Sequence, residues 1–383
     1  MMCKHKCRLG NGKDVLRVLL PALLVTSSAL AQPEIPLSIR EGDSSPRGAE
    51  EVVERYIEHW VESLESDSRT SVRKIREALT EPLRAPGSDI FKSDYSSRLS
   101  RRLRPALSHD DVVVRLNAVM AIGNLIDPGA VPLIESALAD SRLGSSAIHL
   151  HAARSAARLA DSGRLTNDQQ TSLVASLRTA YEAERAQPAV EEIMKALGAL
   201  STDEAVTALL TIINARTSRH AENPRLPLRA EIESLTHLAR KMTRQKLENR
   251  LTNGEASVRQ MAQVSHRYFC HCAEWLRDAE SDDPLRNDHV RMVKLADEVL
   301  RLVVEVLDDT ARPPDKVESE IDKSRWEEVL LRCAEWKKLL TLQGFTAEQL
   351  QISPRQKKHE DGEGPTSDGG RSSRHAVSRS ELG

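Results

Sequence analysis

The segment His266-Arg-Tyr-Phe-Cys-His-Cys272 carries the densest set of metal-capable side chains in this 383-residue chain. His266 and Cys270 are four residues apart, so a helix would set imidazole and thiol on one face, the spacing a zinc ligand pair needs. Cys272 would sit about 200° around the helix from Cys270, and His271 on the polar side with Glu274. A closed site needs two further ligands from elsewhere, such as His289. His266 and Cys270 are therefore the metal candidates, but ordinary helix positions are the favoured reading, and no metal or cofactor is expected. Cys272 and Cys333 both fall on apolar stripes. Either they are two small buried hydrophobes, or they form a disulfide, which requires Cα atoms about 5–6 Å apart.

Other constellations yield less. His149 and His151 are splayed by about 200° on a helix and cannot share a ligand. Glu50, Glu51 and Glu54 sit near a helix start, where carboxylates favour the helix dipole. No G-x-S-x-G, H-E-x-x-H or P-loop pattern occurs, so no catalytic residue is assigned. Arg98, Arg101, Arg102 and Arg104 form a basic helix turn. Against a nucleic-acid role, however, 55 Lys+Arg face 57 Asp+Glu, a formal net charge of −2, whereas phosphate binding needs a cationic surplus.

These residues must be positioned by elements, and the first stretch reads as an address. Lys4, Lys6, Arg8, Lys13 and Arg17 precede the apolar run from Val18 to Val25, followed by Ala29-Leu-Ala31. That order describes a secretory signal peptide cut after Ala31, and predicts export to the periplasm or the exterior. The run is too short to span a bilayer, which takes about 20 residues, so no stable membrane span is expected after cleavage. The signal carries five basic residues and one acidic, leaving −6 on the remaining chain. With 29% charged residues and no second long apolar run, a multi-spanning membrane protein is excluded. Residues 32–48, rich in Pro, Gly and Ser, read as a disordered linker. Residues 353–383 have almost no apolar content and read as a disordered tail.

Between these ends helical periodicity dominates and no convincing strand pattern appears. Asp110 to Leu125 has apolar residues at helical spacing, Asp127-Pro-Gly129 breaks it, and Ala130 to Leu138 begins another helix. A shift of 75 residues lays Ala121, Ile122, Gly123 and Leu125 on Ala196, Leu197, Gly198 and Leu200. Beyond the turn, Ala130, Val131, Ile134 and Leu138 fall on Ala205, Val206, Leu209 and Ile213. A shift of 34 puts Ala118, Leu125 and Asp127 on Ala152, Leu159 and Asp161. Such spacings mark helix-pair repeats, whose hairpins cover their apolar faces only by stacking on one another. Ala121 and Gly123 would permit close helix crossing.

Val114-Arg115 through Leu125, with Asp127 to Leu133, resembles a HEAT repeat of the short bacterial type, and the resemblance covers roughly residues 98–217. It implies an α-solenoid with a concave face for protein partners, and Arg115 and Asp127 as repeat positions. The middle copy has His149 and Asp161 there, the last Val190 and Thr202. The resemblance implies no activity of itself, although some HEAT-like proteins are lyases or glycosylases.

Flanking segments extend the pattern. Helices are predicted at Ala49–Ser66, Arg69–Leu83 and Ser96–Leu107, suited to a terminal cap, and Pro227–Leu251 suits another hairpin. The last third predicts long helices at Ala256–Ala279, Leu285–Leu307 and Lys323–Leu342, with the echo Cys272-Ala-Glu-Trp275 and Cys333-Ala-Glu-Trp336. The fold expected is all-α: a HEAT-like α-solenoid over 49–252, then an antiparallel helical bundle over 253–352. The function expected is a non-catalytic exported scaffold for a protein partner, with no nucleic acid bound. The alternatives are a cofactor- or metal-handling enzyme, or a nucleic-acid-binding repeat protein if the chain is not exported.

Overall fold

Side-chain caps set several of the helix starts in the computed structural model, which describes residues 33–42, 48–66, 71–125, 127–247 and 255–351, without the side chains of 244–247. The expected signal and the expected tail lie outside the described residues. Among the described residues there are sixteen helices and no strand. First come α1 (Leu37–Arg40), α2 (Ala49–Ser66), α3 (Val72–Arg84) and α4 (Asp89–Leu107). Next are α5 (Val112–Ile122), α6 (Val131–Leu138), α7 (Ser145–Asp161), α8 (Asn167–Ala183), α9 (Gln187–Ala199) and α10 (Asp203–Glu222). The remainder are α11 (Arg229–Leu247), α12 (Glu255–Asp278), α13 (Arg286–Leu307), α14 (Glu318–Asp322), α15 (Trp326–Leu342) and α16 (Ala347–Leu350).

The Ser88 hydroxyl accepts from Phe91 N at 3.2 Å at the start of α4, and Asp111 from Val113 N at 2.8 Å at the start of α5. Thr166 and Gln169 form a reciprocal capping box at α8. Each such side chain satisfies a backbone N–H that the helix leaves orphaned, worth about 1 kcal/mol. Asp127 accepts from Gly129 N, and Thr202, 75 residues on, accepts from Ala205 N. The repeat position thus keeps its capping role through a change of residue.

From α2 to α11 each helix packs on the helix two places further along, so odd-numbered and even-numbered helices form two rows. Helices adjacent in sequence bridge the rows, and apolar side chains of both meet in one continuous core. Ala118, Ala121, Ala152, Ala153 and Ala156 are fully covered between α5 and α7. Leu173, Leu177, Leu209 and Ile213 fill the space beside the even row, each contributing about 1.5–3 kcal/mol by leaving water. In the last third, α12 packs on α10, α13 on α11, and α15 against α12.

Four expectations differ from what is found. The helix expected from Ser96 is α4, which begins at Asp89, where Ser88 caps it. Residues 32–48 read as a linker, yet α1 lies there. Ile35 is buried, and the Arg40 guanidinium donates to Ile35 O and pairs with Glu81 at 2.8 Å. Pro227–Leu251 suits a hairpin in sequence, but α11 runs uninterrupted because no Gly, Pro or Asn breaks Arg229–Leu247. The third long helix begins at Trp326 rather than Lys323, after Ser324 adopts a positive φ of 54°.

Candidate functional site

Buried charges tie the hairpins together. The Arg115 side chain, 3% exposed, donates to Asp140 at 2.9 Å and to the carbonyls of His109, Asp110 and Leu143. His149, the residue that replaces Arg115 in the middle copy, sits 2.9 Å from Glu184 Oε2 through Nδ1 and 2.8 Å from Asp140 O through Nε2. One hairpin's acid pair is therefore linked to the next. Burial alone would raise the Glu184 carboxyl, but the Ala186 N–H, His149, Ser146 and the Arg185 N–H together hold it below the usual range.

A second buried network joins α10, α11 and α12. Glu231, fully buried, pairs with Arg216 and lies 3.0 Å from His220 Nε2. Burial opposes its charge, yet the bond to His220 and the charge of Arg216 keep it ionised below the usual range. Tyr268 packs edge-on to His220 at 5.7 Å, and its hydroxyl has no hydrogen-bond partner among the described residues. Beside it, burial together with the neighbouring His220 and His289 pushes His271 down to about 4. The sequence offered no signal for this network, because its members come from three separate helices.

The surface next to these networks holds a groove of about 360 Å³ between α9, α11 and α13, lined by Lys195, Gly198, Ser234, His237, Arg240 and Arg291. Ser234 lies 3% exposed, and its hydroxyl lacks a partner among the described residues. Burial lowers His237, and Lys241 and Arg240 lower it further. Lys195 reaches Glu233 at 3.1 Å and Glu192 at 3.8 Å, Glu233 also pairs with Arg229, and Arg291 lies 3.8 Å from Asp288. Cationic groups thus outnumber acids on this wall, on a chain that is acidic once the expected signal is set aside.

The sequence-selected residues fall as follows. His266, Cys270 and Cys333 come together, their ligand-capable atoms all within 4.8 Å of one another. Cys333 is bonded to Cys270, with Cα atoms 5.6 Å apart. The pairing considered from sequence, Cys272 with Cys333, is not the one formed: Cys272 is a fully buried free thiol, pushed well up by burial and then by Glu231. The reason is geometric. The side of α12 bearing His266 and Cys270 is covered by α15 and α16, while Cys272 is buried beside Glu231 of α11. His289 joins no ligand set among the described residues; it stacks on Trp275 at 3.8 Å, and its Nδ1 donates to Leu285 O. The Cys-Ala-Glu-Trp echo is not structurally equivalent, since Trp336 is fully buried and donates to Asp297 at 2.9 Å.

The basic turn of α4 is answered within the fold at two of its four arginines, while Arg101 and Arg104 lie exposed. Arg98 pairs with Asp94, Glu54 and Glu50, and Arg102 with Glu54 and Glu58. No helix among the described residues is long and apolar enough to cross a membrane. Compared with known proteins, the chain matches no family model, no curated protein and no solved structure.

Proposed function

We propose that this chain is a non-catalytic, exported scaffold whose helical hairpins stack as a HEAT-like α-solenoid and whose groove between α9, α11 and α13 takes an acidic segment of a protein partner. The observation that carries the reading is the packing of each helix on the one two places along, since only stacked hairpins bury their faces in this serial way. Such arrays present long surfaces lined by successive helices, and this one sets Lys195, Arg240 and Arg291 around the buried Ser234 hydroxyl. An acidic segment would meet Arg240 directly and would compete with Glu192, Glu233 and Asp288 for Lys195 and Arg291. Arg98 and Arg102 of α4 are held by carboxylates of α2 and α4, and the chain lacks the cationic surplus that phosphate binding needs, which favours protein over nucleic acid.

The test is competition by charge. Tagged wild-type chain and a K195E/R240E/R291E variant are used to recover partners from the envelope fraction at low and high salt. Recovery of a discrete acidic protein by wild type, lost in the variant and weakened by salt, is expected. Equal recovery by both proteins would sink the assignment of the groove.

A further inference from the structure

We infer that Cys270 and Cys333, when reduced, join His266 to hold a zinc-class divalent ion, so that the junction of α12 with α15 has two mutually exclusive states, disulfide and metal site. This inference is independent of the scaffold reading. It departs from the expectation of ordinary helix positions because α15 brings the third donor, which no spacing within α12 could reveal.

The geometry begins with the histidine. His266 is 2% exposed, and its ring lies between two carbonyls, Leu350 O at 3.1 Å from Nδ1 and Cys333 O at 3.3 Å from Nε2. Cys333 sits in the middle of α15, where its carbonyl belongs to the helix's own hydrogen-bond ladder. Leu350 ends α16, so its carbonyl is one that the helix leaves unpaired. The shorter contact and the freer acceptor both place the proton on Nδ1. Nε2 then keeps its lone pair, and the Leu350 carbonyl fixes tautomer and ring orientation as outer partners of metal-bound histidines do.

Nε2 stands 3.6 Å from Cys270 Sγ. A tetrahedral zinc with Zn–S of about 2.3 Å and Zn–N of about 2.0–2.1 Å has an N···S edge of about 3.5–3.6 Å. The histidine and the first cysteine are thus already at ligand separation. Two thiolates on the same ion need sulfurs about 3.8 Å apart, which rotation of the two side chains supplies without moving helices whose Cα atoms are 5.6 Å apart. Cys270 and Cys333 are both half-buried, so the ion has a route in and a water molecule would serve as the fourth ligand. Two soft thiolates and one imidazole select zinc over magnesium or calcium.

The two states interconvert by balanced steps. A dithiol reductant donates two electrons and two protons to the Cys270–Cys333 bond, giving two thiols and a cyclic disulfide of the reductant. Zinc then replaces both thiol protons, which are released to solvent, as two Zn–S bonds and one Zn–N bond form. Exchange with an oxidised dithiol reverses both steps: its disulfide takes two electrons from the two thiolates and two protons from solvent, the Cys270–Cys333 bond re-forms and the zinc ion is released.

The test uses the full chain carrying C3S/C7S, which removes the leader thiols. The chain is reduced with a dithiol, freed of it under anaerobic conditions and titrated with cobalt(II), followed by displacement with zinc. Expected are one equivalent of tetrahedral, thiolate-ligated cobalt in the reduced chain and none in the oxidised chain. C270S and C333S should each abolish the thiolate spectrum, H266Q should weaken binding about 100-fold or more, and C272S should leave it unchanged. The amide introduced by H266Q can still donate to Leu350 O, and circular dichroism of each variant reports whether its helices persist. Absence of a thiolate spectrum in the reduced wild-type cysteine set, its survival in C270S or C333S, or equal binding by the oxidised chain would overturn the inference.

Discussion

Removing one thiol distinguishes Cys270 from Cys272 as the partner of Cys333. The Cys270–Cys333 link closes a loop with a sequence separation of 63 residues. Restricting the unfolded chain by that loop is worth about 4 kcal/mol at 25 °C on the chain-entropy account. In a C3S/C7S background, C270A should therefore be about 4 kcal/mol less stable than the oxidised parent, as read by circular dichroism in urea. Adding a dithiol should bring the parent down to the same midpoint and leave C270A unmoved. C272A should lose only about 1 kcal/mol, for a deleted buried sulfur, and should keep its full response to the dithiol. The reasoning fails if C272A loses that response while C270A retains it, because Cys272 would then be the bonded residue.

Other expectations follow from particular contacts. Glu231→Leu leaves Arg216 and His220 buried without their acid and should cost about 3–5 kcal/mol, most of it recovered by Arg216→Met in the same chain; denaturant midpoints of both variants check this. His271 is lowered from 6.5 to about 4, so the unfolded chain takes up its proton first as pH falls. Its contribution is intact above pH 6.5 and is lost toward pH 4, an effect of about 3 kcal/mol that H271Q should remove from a pH series of unfolding curves. The depressed carboxyls of Asp140, Glu184 and Glu231 add a further loss below the ordinary carboxylate range. A Cβ at Gly123 would meet Ser155 Oγ at 2.9 Å, whereas at Gly198, its repeat counterpart, the nearest side chain is His237 at 3.5 Å. Thermal melts should then show G123A destabilised by about 1–3 kcal/mol and rescued by S155A, with G198A neutral or stabilising.

Much of the helical layout was legible in the residues alone, because one apolar stripe per helix suffices to mark a helix that buries one face. Ile122, Leu125, Ile134 and Leu138, picked out by the repeat, are all buried. The same rule misassigned the cysteines. It treats the side opposite the stripe as solvated, but α12 is covered by α10, α13, α15 and α16. Cys270, off the stripe, is thereby brought to Cys333. Repeat identity was also a poorer guide than repeat chemistry: His149 with Glu184 takes the place of Arg115 with Asp140, and Thr202 caps where Asp127 does. Letters differ while the donor and acceptor persist. The Arg216–Glu231–His220 network and the groove arise only where three helices meet, and no local spacing encodes such a meeting. Residues 33–42 escaped because one buried isoleucine and one anchored arginine are too few to make a period.

The scaffold claim is tested most directly by a photo-crosslinking amino acid placed at His237 in the groove and, as a control, at Arg178 on α8 in the other row. Illumination in cells should give one discrete adduct from position 237, abolished by R240E/R291E, and none from position 178. Equal adducts from both positions, or an adduct at 237 indifferent to the two arginines, would contradict the account.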